Sequence, residues 1–162
     1  MTGAIQSYFQ AEKSESILFL GIGIAALVAG IVFLVRGSAF QKGTAVPFIA
    51  IALIQIVVGG TVYFRTDAQV AQLAALHRSN PADFKAQELP RMEKVNRSFD
   101  VYKVIEICLL AAGIALMLYF RGRSAGWTGA GLGLSLQAAV TLLLDFFAEA
   151  RADVYTKFIQ SL

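Results

Sequence analysis

Through the stretch GAGLGLSLQAAVTLLLDFFAE, small and polar residues return at every fourth position: Gly129, Gly133, Gln137, Thr141, Asp145 and Glu149. A further carboxylate, Glu106, stands in DVYKVIEICLLAAGIALMLYF (Asp100–Phe120), where the fourteen residues that follow it carry no charge. Carboxylates in so apolar a setting have two uses. Paired with guanidinium groups they set the register of packed helices; left ionisable they bind cations or relay protons. An ionised side chain at the centre of a bilayer costs about 2.5–3.5 kcal/mol on insertion scales, so such groups turn inward and seek partners. Arg65 and Arg151 stand at matching depth, which predicts one cluster of Glu106, Asp145, Glu149, Arg65 and Arg151. The small residues of the stripe let helix backbones approach closely, and its amide and hydroxyl groups can bond across the contact. Gln55 and Gly59 offer a matching pattern upstream, and Gly21, Ala25 and Ala29 another. Helix packing and the lining of a pathway both fit the set Gly129, Gly133, Gln137, Thr141, Gln55 and Gly59.

The elements that must position these groups follow from composition. Of the 162 residues, 57% are hydrophobic and 15% charged, against under half and about a quarter in an ordinary soluble domain. The excess falls into four blocks, Ile17–Val35, Thr44–Phe64, Val104–Phe120 and Ser124–Leu144. Each approaches the roughly 20 residues that a crossing helix needs. Lipid offers no partner to backbone amides, so the blocks are helices. The expectation is a single all-α membrane domain over residues 1–162, with spans near 16–35, 44–64, 101–120 and 125–146. Block one is too long for a signal core, and its flank EKSES is not basic, so it reads as a retained span.

The connections carry the topology. RGSAFQKG (Arg36–Gly43) and RGRS (Arg121–Ser124) each hold two cations and no acid, which places all eleven acids and the other ten Lys and Arg on the opposite side. Both termini and the long middle segment then share one side of the membrane. Counting Lys and Arg makes that side cytoplasmic; net charge makes the two short turns the more positive elements. The middle segment is helical. Val70, Leu73 and Leu76 continue the second block, Asn80 offers an N-cap, Pro81 a first helical residue and Asp83 follows. Pro90 can open a helix in the same way, and Met92, Val95, Phe99, Tyr102, Glu106, Leu109, Gly113 and Leu116 trace a seam in steps of three and four. A helix from Pro90 to Phe120 is about 45 Å long, about 15 Å more than the hydrocarbon requires. The result is an antiparallel four-helix bundle with a helical hairpin over 65–100 projecting from the bilayer, and Met1–Gln10 as a short amphipathic lead. AGIVFLVRG and AGIALMLYFRG, with YFRTD and EARAD, form a weak internal echo of two parallel halves.

Other signals are few. His77, the single histidine, reads as a surface residue in the hydrophilic extension, and haem, zinc or di-iron centres need more such ligands. Cys108 is the single cysteine, which leaves no disulfide framework. Pro47 reads as a first-turn residue of its helix. Trp127, Tyr119, Tyr63 and Tyr102 flank the spans as interfacial belts. There is no phosphate cradle, nucleophile elbow, metalloprotease helix or basic aromatic surface for nucleic acid. The sequence therefore predicts no catalytic, cofactor-binding or metal-binding residues, and a protein that is not an enzyme.

ELPRMEKVNRSFDVYKVIEI (Glu88–Ile107), VYFRTDAQ (Val62–Gln69) and GLGLSLQAAVTLLLDFFAEARADVY (Gly131–Tyr155) together resemble a group of small, uncharacterised bacterial four-span membrane proteins. The resemblance implies a bacterial inner-membrane location and brings no activity, substrate or cofactor. The expected role is contact with another membrane protein or with a second copy, as an accessory subunit or an immunity protein against a membrane-active toxin. The alternative is an ion or proton conductor built on Glu106 and Asp145, with Gln55, Gln137 and Thr141 along the way.

Overall fold

The computed structural model describes residues 2–162; Met1 lies outside the described residues. Four helices account for nearly all of them: α1 (Thr2–Arg36), α2 (Ala39–Ser79), α3 (Pro81–Phe120) and α4 (Ala125–Gln160). All four are long and apolar enough to cross a membrane. At 1.5 Å per residue α3 extends about 60 Å, twice a hydrocarbon core.

The turns are short because their residues cap at once. Ser38 closes a capping box: its hydroxyl accepts from the Gln41 amide while its own amide donates to Gln41 Oε1 at 2.9 Å. Asn80 serves two helices, its N–H donating to Leu76 O and its side chain accepting from the Asp83 amide at 3.2 Å. Pro81 follows as the first residue of α3, where no amide is missed. The third turn needs a left-handed residue, and Gly122 supplies it at φ 76°.

Several expectations shift here. The lead Met1–Gln10 is, from Thr2 onward, the first part of α1, and Ile5 and Phe9 are fully buried. The first loop shrinks to Gly37 and Ser38, which leaves Pro47 two turns inside α2 rather than in its first turn. There its ring packs against α4 beside Gly133. Pro90 opens no helix; α3 begins at Pro81 and runs through it. The seam of α3 keeps Met92, Glu106 and Gly113, but Tyr102 and Leu109 face outward. The partner α4 approaches one residue further round, where Lys103 meets Glu149.

Contacts give the arrangement. Between α1 and α2, Lys13 meets Asp67, Gly23 lies against Gln55 and Gly30 against Ala45, so numbers rise along one helix as they fall along the other. The same holds for α3 and α4, where Asn96 meets Thr156, Lys103 meets Glu149 and Gly113 meets Ser135. Along α2 and α4 they rise together, Thr44 with Gly129 and Gln55 with Gln137. Helices α2 and α4 form the centre; α1 and α3 flank it, and at the core end Arg91 of α3 lies over the Phe9 ring of α1.

The two ends of the molecule are opposite in character. Around Ile5, Phe9, Phe84, Met92, Tyr155 and Ile159 the apolar side chains point inward, as in a soluble protein. Over the other two thirds they point outward: Ile17, Val35, Val57, Val104, Leu118 and Leu143 all stand exposed. The interior there is filled by small and polar groups, among them Ala45, Ala52, Gly129, Gly131, Gln55 and Gln137.

Candidate functional site

The stripe of α4 turns toward the centre and packs. Added side-chain atoms at Gly129 and Gly133 would strike the α2 backbone at Phe40 and Thr44, and one at Gly131 would strike Met117 of α3. Gly59 is closed in by Ser16 and Leu20 of α1. On α1 the packed positions are Gly23 and Gly30; Gly21 and Ala25 face out, two residues off the expected line. Polar groups interrupt this packing. Thr44 Oγ1 donates to Gly129 O at 3.1 Å, and Gln55 Nε2 donates to Gln137 Oε1 at 3.4 Å. Gln55 is fully buried and its own oxygen finds no partner among the described residues. Thr141 spends its hydroxyl on the carbonyls of Gln137 and Ala138, within its own helix.

The five-residue charge cluster separates into distinct units. Glu106 is buried, with Asp145 and Thr141 as its polar neighbours across the α3–α4 contact and, among the described residues, no cation upon it. Among the described residues Glu106 Oε2 also has no hydrogen-bond partner. Glu149 instead takes Lys103 at 2.7 Å. Arg65 reaches Glu12 of α1 at 3.2 Å, and Arg151 closes on Glu15 of the same helix. The cause is positional. The flank AEKSES places two acids one turn before block one, and α1 runs beside both α2 and α4, so its acids meet the guanidiniums first. Lys13 completes the belt by donating to Asp67 at 2.6 Å, a bond that raises its ammonium above the ordinary range. Sequence reasoning passed over Glu12, Glu15, Lys13, Asp67 and Lys103; the signal was the charged run EKSE (Glu12–Glu15) just before the first apolar block.

Two cavities adjoin Asp145. One, of about 130 Å³, lies among all four helices and is lined by Glu12, Glu15 and Ser16 as well as Phe99 and Leu144. The other, of about 400 Å³, is a groove between α3 and α4 that opens sideways, with Lys103, Glu106 and Glu149 at its charged end and Ile107, Leu110, Leu142 and Leu143 along its walls.

The charged end has its own polar framework. Tyr8 stacks on Tyr155 at 4.3 Å, and Phe9 meets Tyr155 edge-on. Glu88, almost wholly buried, accepts two bonds from Arg91 at 2.7 and 2.6 Å. Burial works against the Arg91 charge, yet the bonds to Glu88 outweigh it and hold the guanidinium above its usual value. Burial, aided by Glu12, pushes the Tyr8 hydroxyl up to about 12, and burial with Glu88 raises Tyr155 as well. Burial also draws Arg151 below its usual value. His77 is buried rather than on the surface, edge-on to Phe84 at 4.9 Å, because the hairpin tip folds its inner face into this core.

No protein-family model, curated protein or solved structure matches this chain.

Proposed function

We propose that the chain is an antiparallel four-helix bundle embedded in the bacterial inner membrane, non-catalytic, and acting by contact with another membrane protein or a second copy. One observation carries the membrane reading: the reversal from apolar-inside at one end to apolar-outside over the rest. Water would penalise so many exposed apolar side chains, whereas lipid accepts them. The hairpin tip, the start of α1 and the end of α4 then share one face, which the Lys and Arg count favours as cytoplasmic.

For the contact role, the support is the rigidity of that projecting end. It has a core of its own, and three ion pairs, Lys13–Asp67, Arg65–Glu12 and Arg151–Glu15, tie α1 to α2 and α4 at its base. Such a platform suits an accessory subunit or an immunity protein. Affinity purification in mild detergent tests it: a stoichiometric membrane partner or a defined homo-oligomer is expected, and a monomer that repeatedly emerges alone counts against it. Extraction of membranes with alkaline carbonate tests the embedding separately.

A conductor is the second reading, favoured by the unpaired Glu106 beside Asp145. Against it stands the far end, where Gly43 lies on Gly126 and Gly129 on Phe40, so that the α2 and α4 backbones are in close contact there. Proton or cation flux in liposomes that fell on Glu106→Gln would restore it.

A further inference from the structure

We propose that the groove between α3 and α4 is a binding site for an organic cation with an apolar body, which enters from the lipid side and sets its charge against Glu106 and Asp145. The inference rests on the membrane-embedded reading above. Three observations carry it. Glu106 is 9% exposed, lines the groove, and its Oε2 has no partner among the described residues. A buried carboxylate oxygen without a donor is costly, and a cationic occupant removes that cost. The groove also has the right size and polarity: about 400 Å³, within the roughly 300–1,000 Å³ of small-ligand sites, with mostly apolar walls and a few polar groups at one end.

Charge decides the class of ligand. The lining brings three carboxylates, Glu106, Asp145 and Glu149, against one ammonium, Lys103. Lys103 is already held by Glu149 at 2.7 Å with Asp100 at 3.9 Å, so it offers little to an anion. The cations that might have neutralised Glu106 and Asp145 are occupied on α1 by Glu12 and Glu15. A monocation with a hydrocarbon or aryl body satisfies the deficit; a fatty-acid carboxylate worsens it.

The test uses the whole chain in nanodiscs of zwitterionic phosphatidylcholine, with radiolabelled tetraphenylphosphonium as the probe. Saturable binding is expected, displaced by decyltrimethylammonium and not by decanoate. Glu106→Gln should weaken it about tenfold or more, the usual effect of removing one buried charge partner, while Glu93→Gln, on the exposed side of α3, leaves it unchanged. Leu142→Phe, which fills the apolar wall without touching a charge, should also weaken it, and it decides the matter if Glu106→Gln does not purify as folded protein. Equal binding by wild type and these groove variants, non-saturable uptake, or displacement by decanoate as effective as by the cation would overturn the proposal. Resistance to alkaline extraction reports the embedding alone, so the two readings fail separately.

Discussion

Arg151 of α4 closes on Glu15 of α1, the single ion pair that joins the first helix to the last among the described residues. Both side chains are largely withdrawn from water, at 29% and 17% exposure. A pair of this kind lies between a surface bridge, which contributes almost nothing, and a fully buried one, whose breakage is severe. Arg151→Ala and Glu15→Gln should each lower stability by about 1–2 kcal/mol, read from unfolding in mixed detergent micelles. The double variant should lose less than both together. Lys157→Ala, which breaks the exposed pair with Asp153, should stay within about 0.5 kcal/mol.

The glycine positions divide sharply. Gly129→Ala and Gly131→Ala push a methyl group into the backbone of a neighbouring helix, and overpacking of that sort costs about 1–3 kcal/mol. Gly21→Ala and Gly60→Ala meet open space and should be neutral or slightly stabilising, since alanine is the better helix former by roughly 1 kcal/mol. Thermal melts of the four variants in one detergent would check the ranking; equal losses would sink the packing account of the stripe.

Tyr8 gives the molecule an alkaline limit. Burial and the nearby Glu12 raise its hydroxyl to about 12 from an ordinary 10.0. A group whose folded value is raised stabilises fully below its unfolded value and loses that contribution as pH climbs through the folded one. The charged end should therefore loosen between about pH 10 and 12. Tyrosinate absorbance should show a late component from Tyr8 and Tyr155, smaller by one tyrosine in Tyr8→Phe. A wild-type titration without that component would contradict the burial of this ring.

Cys108 is exposed on α3, two residues from Glu106 and amid the apolar surface. In sealed vesicles a charged, impermeant thiol reagent should leave it unmodified from either side, yet label it completely in SDS. In a Cys108→Ala background, cysteines placed at Ser79 and Ser124 should label from opposite faces. Labelling of Cys108 itself by the impermeant reagent would remove this surface from the lipid.

How much of this was legible in the sequence depends on the range of the interaction. The four helices were, because unbroken apolar blocks admit only one solution in lipid. So was the hairpin tip, where Asn80, Pro81 and Asp83 act within one turn of chain. The partners of Arg65 and Arg151 were not. Depth along the membrane normal can be counted from a sequence, but which neighbour occupies that depth depends on how the helices are arranged around the centre. Glu12 and Glu15 lay at the same level as Glu106 and Asp145 and took the cations. His77 was misjudged for a related reason. It belongs to the end of the bundle where apolar residues point inward, and there a hydrophilic stretch of chain can still supply a core.

The burial of Ile5 and Phe9 has a consequence for biosynthesis. They pack on Ala152, Tyr155 and Ile159, and the Glu15–Arg151 tie beside them spans 136 residues of chain. During translation the head of α1 can meet Val70 and Phe84 before α4 is made, and Tyr155 and Ile159 cover it later. Part of the Ile5 and Phe9 surface stays uncovered throughout that interval, within reach of proteases and of wrong partners. A chain stopped short of Ala152 should leave that surface open for good and be degraded faster.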